Sequence, residues 1–263
     1  MSDVTKDWLG EPDEAGRPDP IKAARGHARP ALPRRFYREA GFREEAAGFR
    51  LTLDGRPAGT PARNPLAVPG AELARALAEE WAAQGESIDP ATMPLTRLVN
   101  TAIDGVAPRT AAVAADLAAF AGTDLIAYRA EGPDRLVAAQ GAAWDPLAAW
   151  AREALGARLV LGQGVMHVAQ PAETVAALTR AVEAVEGPFR LAAVHTLTTL
   201  SGSLVIALAV LRGRLDAGAA WEAAHVDETH QAEVWGWDAE AQARLTARRA
   251  EFEAAARLLA LLA

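Results

Sequence analysis

The chain contains no cysteine, and this absence narrows its chemistry. Without thiols it forms no disulfide, thiolate nucleophile or thiolate metal site, which fits a reducing compartment. Basic residues are also in the minority, with 27 Lys and Arg against 34 Asp and Glu, for a net charge of −7. Nucleic-acid binding depends on basic side chains that face phosphates, so this balance argues against a nucleic-acid partner.

Phosphate-binding and nucleophile motifs are missing as well. The glycine-containing strings Gly162-Gln-Gly164 and Ser201-Gly-Ser203 have neither the lysine of a phosphate loop nor the full spacing of a dinucleotide fingerprint. A Gly-x-Ser-x-Gly elbow does not occur in the sequence. These patterns give no support for ATP binding or for a serine nucleophile.

The sequence has no obvious targeting or membrane-spanning segment. Residues 1–30 lack the apolar run of a secretory peptide, and their acidic residues are atypical of a mitochondrial presequence. Prolines and mixed charges predict a flexible leader over residues 1–31. The most apolar stretch, residues 191–211, includes His195, hydroxyl side chains and Gly202, so we interpret it as a buried helix. We predict a bacterial cytoplasmic protein without direct membrane insertion.

Hydrophobic patterning divides the chain into two parts. Residues 49–53 alternate and run into Asp54-Gly55, a strong hairpin signal, and residues 71–84 have helical spacing. Helical spacing then dominates, with helices predicted over residues 94–103, 108–120, 134–155, 172–185, 188–211, 217–235 and 238–262, and extended segments over 125–128 and 158–161. We predict an α+β fold, with a small strand-rich α/β domain over residues 32–92 and a larger, mainly helical domain over 93–263.

Residues 225–240 are the segment richest in chemically active side chains. They include two histidines, five carboxylates and two tryptophans. On one continuous helix, Trp221, Ala224, Glu228, Gln231 and Trp235 would share a stripe that mixes aromatic and polar side chains. Two interpretations stay open: a helix, a turn and a second helix with solvated charges, or an interface with tryptophan anchors and a carboxylate rim.

His225, Glu228 and His230 suggest an alternative, a metal- or histidine-dependent hydrolase centred on residues 225–240. Zinc-binding histidines on one helix are four residues apart, so that both face the ion. These two are five apart and differ in direction by about 140° on an ideal helix. They share an ion only if the helix breaks between them, and we therefore predict no metal site.

Several short motifs follow one another in a specific order over residues 33–262. They are Arg35-Phe-Tyr37, Leu53-Asp-Gly-Arg-Pro57, Thr60-Pro-Ala-Arg-Asn-Pro-Leu66, Glu80-Trp81, Met93-Pro-Leu-Thr-Arg-Leu-Val-Asn-Thr-Ala-Ile-Asp104, Thr123-Asp-Leu-Ile-Ala-Tyr-Arg129, Gln140, Trp144-Asp-Pro-Leu147, Asp227-Glu228, Gln231, Glu233, Trp235-Gly236, Asp238 and Glu240. Together they resemble the assembly-factor family of the F-type ATP synthase catalytic sector, which escorts the alpha subunit. One departure is His230, where members of that family often have tryptophan.

The resemblance implies a two-domain fold without catalytic residues, cofactor or nucleotide. The expected partner is a newly made alpha subunit, held until the beta subunit takes its place. Relatives would act in the mitochondrial matrix, and a monomer suits a surface that is kept free for a partner. The interface interpretation and the resemblance together predict the partner-binding residues Glu228, Gln231, Glu233, Trp235, Trp237, Asp238 and Glu240.

Overall fold

The computed structural model describes residues 32–46, 48–164, 166–236 and 238–262. The predicted leader therefore lies outside the described residues.

A small antiparallel sheet begins the described chain. Its strands are β1 (Ala40–Glu45), β2 (Gly48–Leu53), β3 (Arg56–Pro57) and β4 (Ala67–Val68), and β2 pairs with each of the others. The predicted hairpin is confirmed, because Asp54 and Gly55 both have positive φ, 49° and 74°. Such a turn matches the twist of the strands that it joins. Helix α1 (Ala71–Ala82) then packs on β1 and β2 through its buried Leu73 and Leu77.

Helices dominate the rest of the described chain. They are α2 (Pro94–Thr101), α3 (Thr110–Ala119), α4 (Asp134–Trp150), α5 (Ala172–Glu183), α6 (Pro188–Ser201), α7 (Leu204–Leu211), α8 (Ala217–Ala224), α9 (Val226–Trp235) and α10 (Ala239–Leu261). π-Helical turns extend α2 over Ala102–Val106 and α4 over Ala151–Leu155. The predicted α+β class, with strands before helices, is confirmed, whereas the boundary between residues 92 and 93 stays a prediction.

Two segments predicted as single helices are broken. Residues 188–211 form α6 and α7, because Gly202 adopts a left-handed conformation (φ 71°) and the Ser203 hydroxyl then accepts the N–H of Ile206 to start α7. Residues 217–235 form α8 and α9, because the ring Nδ1 of His225 hydrogen-bonds the Trp221 carbonyl at 2.8 Å. That carbonyl would otherwise accept the backbone N–H of residue 225 in a continuous helix.

The two predicted extended segments are displaced along the chain. Leu125–Ala127 is a 3-10 turn, which the Asp124 carboxylate starts by accepting the N–H of Ile126. The strands that do pair are β5 (Tyr128–Arg129) and β6 (Gly162–Gln163), and they are parallel.

Two carboxylates join the sheet part to the helical part. Asp104 accepts hydrogen bonds from the Thr60 hydroxyl at 2.6 Å and from the Asn64 side-chain amide at 2.8 Å. Glu80, on α1, accepts the N–H groups of Leu95 and Thr96 at 2.9 and 2.7 Å. It thereby satisfies two of the free N–H groups at the start of α2 and places a negative charge there.

The core of the helical part is centred on α7, where residues 204–209 are fully buried. Helix α6 packs on α7 and α10, and α10 also contacts α1 and α2. The predicted burial of this apolar stretch is confirmed, although it forms two helices, α6 and α7, instead of one. A different run, Pro94–Ala127, is long and apolar enough to cross a membrane by length and composition alone. Only 28% of its apolar window is buried. The run is not one continuous α-helix, because it combines α-, π- and 3-10 segments, and its first helix packs on α1 and α10.

A buried carboxylate determines where α7 begins. Asp124 is fully buried and accepts hydrogen bonds from the Ser203 hydroxyl at 2.6 Å and the Val205 N–H at 2.9 Å. Burial raises the pKa of Asp124 from 3.8 to about 6, although these hydrogen bonds oppose the increase. The folded state therefore binds a proton more tightly than the unfolded state does.

We predict that Asp124→Asn removes a pH-dependent part of the stability. The contribution of Asp124 is fully present below the unfolded pKa of 3.8 and is lost as the pH rises through about 6. The unfolding free energy of the native protein should therefore exceed that of the variant by about 1 kcal/mol more at pH 5 than at pH 7. Urea titrations of both proteins at both pH values measure this difference, with the exposed Asp134→Asn as control. A difference that stays constant with pH would contradict the assignment.

Candidate functional site

The predicted site segment forms the end of α9, a turn and the start of α10. Helix α9 ends at Gly236, whose φ of 85° is favourable mainly for glycine and whose N–H bonds the Ala232 carbonyl at 2.9 Å. Helix α10 begins after Asp238, which caps it by accepting the N–H of Ala241 at 2.8 Å. The predicted residue Trp237 lies outside the described residues.

A groove of about 410 Å³ lies between α9 and α10. Four of the predicted partner-binding residues line it: Glu228, Gln231, Trp235 and Asp238. The wall that α10 contributes consists of Ala241, Arg244, Leu245 and Arg248. The groove thus combines an aromatic ring, an apolar floor and charges of both signs.

Trp235 is the most exposed large apolar side chain of this segment, at 79%, and its neighbour Val234 is 55% exposed. Helix α9 buries none of its described side chains. Burying one large apolar side chain contributes roughly 1.5–3 kcal/mol. An exposed tryptophan beside a groove therefore offers an anchor that a partner can cover.

The carboxylates around Trp235 differ in their contacts. Glu233 forms an ion pair with Arg135 of α4 at 2.7 Å, and Glu240 forms one with Arg244 at 2.7 Å. All four side chains are largely exposed, and exposed ion pairs contribute only about 0–1 kcal/mol, so a partner can replace them. Within the described part of the chain, the Glu228 and Gln231 side chains make no hydrogen bond or ion pair.

The predicted stripe from Trp221 to Trp235 is wrong, because the helix breaks at His225. Trp221 is only 5% exposed, and its ring stacks on His225 with centroids 3.7 Å apart and meets the edge of Phe252 at 5.5 Å. Trp221 is a core residue, whereas Trp235 belongs to the surface. The periodicity of the sequence does not distinguish them.

The hydrolase alternative finds no support in the geometry of His225. Its side chain is buried, its Nδ1 is held by the Trp221 carbonyl, and burial lowers its pKa. His230 lies within α9, beyond the break. Among the described residues, no group of three or more His, Asp or Glu side chains is arranged to hold a metal ion.

Helix α4 positions α8 and α9 through two side chains. Gln140 is buried, donates to the Asp227 carboxylate at 2.7 Å and accepts the Ala130 N–H at 2.8 Å. The Trp144 indole donates to the Ala223 carbonyl at 2.6 Å. The sequence motifs include both residues. Helical spacing predicts Trp144 to be a core anchor, and it is buried, whereas Gln140 had no assigned role.

The basic wall of the groove was also missed. Arg244 and Arg248 lie on α10, one and two turns beyond Glu240, and Arg248 also donates to the Leu200 carbonyl of α6 at 2.9 Å. Their four-residue spacing was the available signal, since residues four apart share a helix face.

The described part of α9 and α10 thus presents an exposed indole beside an open groove. Residues 34–152 match the family model described as ATP12 chaperone protein. Two solved structures, each similar to this chain, cover most of it. Atp12 from Paracoccus denitrificans is 45% identical over 88% of this chain and 99% of its own, with a TM-score of 0.81.

A second relative, a protein from Agrobacterium tumefaciens, is 44% identical over 94% of this chain and 92% of its own, with a TM-score of 0.85. A mutant of the Paracoccus protein with lysine in place of one aspartate matches with a TM-score of 0.81. The chain belongs to the ATP12 chaperone family. Its role is that of a chaperone in ATP synthase assembly, and the predicted resemblance is confirmed.

We predict that Asp227→Ala loosens α9 while the core stays folded. The substitution removes the acceptor of the Gln140 hydrogen bond, and α9 has no buried side chain to compensate. Hydrogen exchange, read by mass spectrometry, should accelerate at residues 226–235 at least several-fold more than in α6 or α7. Asp227→Asn is the matched control, because its amide oxygen can still accept. Unchanged exchange in the Ala variant would show that other contacts hold α9.

Proposed function

We propose that this chaperone binds the unassembled alpha subunit of the F-type ATP synthase catalytic sector. In this proposal it shields the subunit-contact surface of its client until the beta subunit replaces it. The observation that carries the proposal is Trp235, 79% exposed beside the α9–α10 groove. The family membership of the chain supports it.

The physical problem of such a client is the surface that it exposes before assembly. A subunit from an alternating ring has a large apolar contact surface, and such surfaces aggregate when they are uncovered. An indole anchor seated in that surface would contribute binding free energy, and exposed charges around it would fix the orientation. Trp235 offers the anchor, and Glu228, Gln231 and Arg244 lie along the same groove.

Release needs no catalytic step in this proposal. A partner that binds the same client surface more tightly displaces the chaperone by mass action, so neither nucleotide nor cofactor is required. The exposed ion pairs of Glu233 and Glu240 are compatible with such exchange, because exposed charges contribute little to affinity. We propose further that the chain works as a monomer in a bacterial cytoplasm, as the bacterial origin of its relatives supports.

We predict that Trp235→Ala strongly weakens client capture and leaves the fold intact. Because Trp235 is exposed, its truncation removes little packing within the chaperone but the whole anchor. A lost anchor of about 2 kcal/mol weakens binding roughly 30-fold. Freshly refolded alpha subunit, diluted alone, should aggregate in the presence of the variant and stay dispersed with the native chaperone, as measured by light scattering.

The matched control for this variant is Met166→Ala, which removes a similarly exposed apolar side chain (75%) outside the groove. This control protein should suppress aggregation as the native protein does. Addition of beta subunit should release the chaperone and yield an alpha–beta pair. If the Trp235 variant protects the client fully, the groove is not the binding site. If the native chaperone gives no protection in several-fold excess, the proposed client is wrong.

A further inference from the structure

A second groove, of about 470 Å³, lies on the sheet part of the molecule. Phe36, Tyr37, Trp81 and Pro57 contribute its apolar lining, and Asp54 and Arg56 lie among them. Phe36 is 72% exposed, which is unusual for a phenylalanine with aromatic neighbours. The proposed client-binding groove shares no lining residue with this one.

The aromatic lining is fixed in place. The Phe36 and Tyr37 rings are 5.4 Å apart edge to face, and the Tyr37 and Trp81 rings are 5.6 Å apart. The Tyr37 hydroxyl donates to the Trp81 carbonyl at 2.7 Å, and the Arg35 guanidinium lies 4.7 Å from the Tyr37 ring centre. Rigid aromatic grooves of this kind are suited to extended segments that contain proline, because neither side loses much conformational freedom on docking.

Two charged side chains of the groove, Asp54 and Arg56, can form further hydrogen bonds or ion pairs. Both hydrogen bonds to the Asp54 side chain, from the Arg38 and Glu39 N–H groups, reach the same oxygen, Oδ1. These bonds lower the pKa of Asp54, so its carboxylate is ionised at neutral pH. Arg56 makes no ion pair within the described part of the chain. A docked segment that carries one cation and one anion would match this pair.

We propose that residues 17–21 of the same chain, Arg-Pro-Asp-Pro-Ile, dock into this aromatic groove. The two prolines favour an extended backbone at themselves and at the residues that precede them. Arg17 and Asp19 supply the cation and the anion that Asp54 and Arg56 would match. Arg17–Asp54 and Asp19–Arg56 are the pairings that the charges favour.

Distance along the chain permits this contact. Leu32, the first described residue, is four positions before Phe36, which lies in the groove. The twelve chain steps from Pro20 to Leu32 can span up to about 40 Å when extended. Because the segment is tethered beside the groove, its effective concentration is on the order of millimolar, so even a weak contact is populated. Docking would also cover the exposed ring of Phe36.

The test uses the full chain and its lack of native cysteine. A single Ala23→Cys carries a nitroxide spin label, and amide signals of the isotope-labelled protein are compared before and after the label is reduced. Docking predicts that residues 53–59 lose more than half of their intensity, while residues 241–248 of the other groove stay unaffected. The variants Phe36→Ala and Pro18→Ala/Pro20→Ala should restore the lost intensity, and Met166→Ala, a distant exposed side chain, should not.

Three results would overturn the proposal. The first is weak broadening spread over the whole surface, and the second is broadening centred on residues 241–248. The third is broadening in a mixture of two copies, of which one carries the spin label but no isotope and the other is isotope-labelled and free of cysteine. In that case a second copy would occupy the groove. The experiment contains no alpha subunit, so its outcome is independent of the proposed function.

Discussion

The carboxylate of Asp124 is fully buried, and the hydrogen bonds that it accepts fix where α7 and a neighbouring 3-10 turn begin. A buried charge is costly unless it is hydrogen-bonded, and this one accepts the Ser203 hydroxyl and the N–H groups of Ile126 and Val205. Oδ1 of Asp124 accepts both the Ser203 hydroxyl and the Ile126 N–H that starts the 3-10 turn before β5, and Oδ2 accepts the Val205 N–H in the first turn of α7, the most buried helix. After β5, the N–H of Ala130 holds Gln140, and Gln140 holds Asp227 at the start of α9. A continuous series of polar contacts therefore leads from the centre of the core to the surface helix that carries Trp235.

Several of the motifs that carry the family resemblance brace the fold, whereas the last of them lies on the surface with side chains free to contact a partner. Glu80 caps α2, Asp104 joins the sheet part to the helices, and Trp144 fixes α8. Removal of Glu80 or Trp144 would leave backbone groups unpaired, and removal of Asp104 would leave the Thr60 hydroxyl and the Asn64 amide without their acceptor. The residues around Trp235 stabilise the fold only through the N-cap from Asp238 and through exposed ion pairs. The candidate site therefore differs from Glu80, Asp104 and Trp144, whose side chains stabilise contacts within the fold.

The fold class could be predicted because it depends on periodicity, whereas the helix breaks could not, because they depend on single side chains. Asp54-Gly55 specifies its turn locally, and the apolar run of α7 specifies burial locally. The break at His225 requires that its ring reach the Trp221 carbonyl, a competition that no pattern of apolar residues reveals. The same break separates the buried Trp221 from the exposed Trp235. Composition therefore located the candidate segment, whereas helical periodicity assigned Trp221 and Trp235 to a single face. The arginine wall of the groove depends on how α10 packs beside α9.

The way in which α9 is attached bears on the affinity that its groove can reach. A strong anchor on a rigid surface gives tight binding, whereas α9 buries none of its described side chains and depends on contacts with α4, such as those of Gln140 and Arg135. A partner that needs α9 in a different position must supply the free energy to move it, and this cost would be subtracted from what Trp235 contributes. The net affinity is then moderate even though the anchor is large. For a chaperone that must yield its client to a tighter-binding partner without nucleotide hydrolysis, moderate affinity is a requirement, because mass action reverses only binding of limited strength. The attachment of α9 through a few polar contacts and the exposure of Trp235 are thus both compatible with the proposed function.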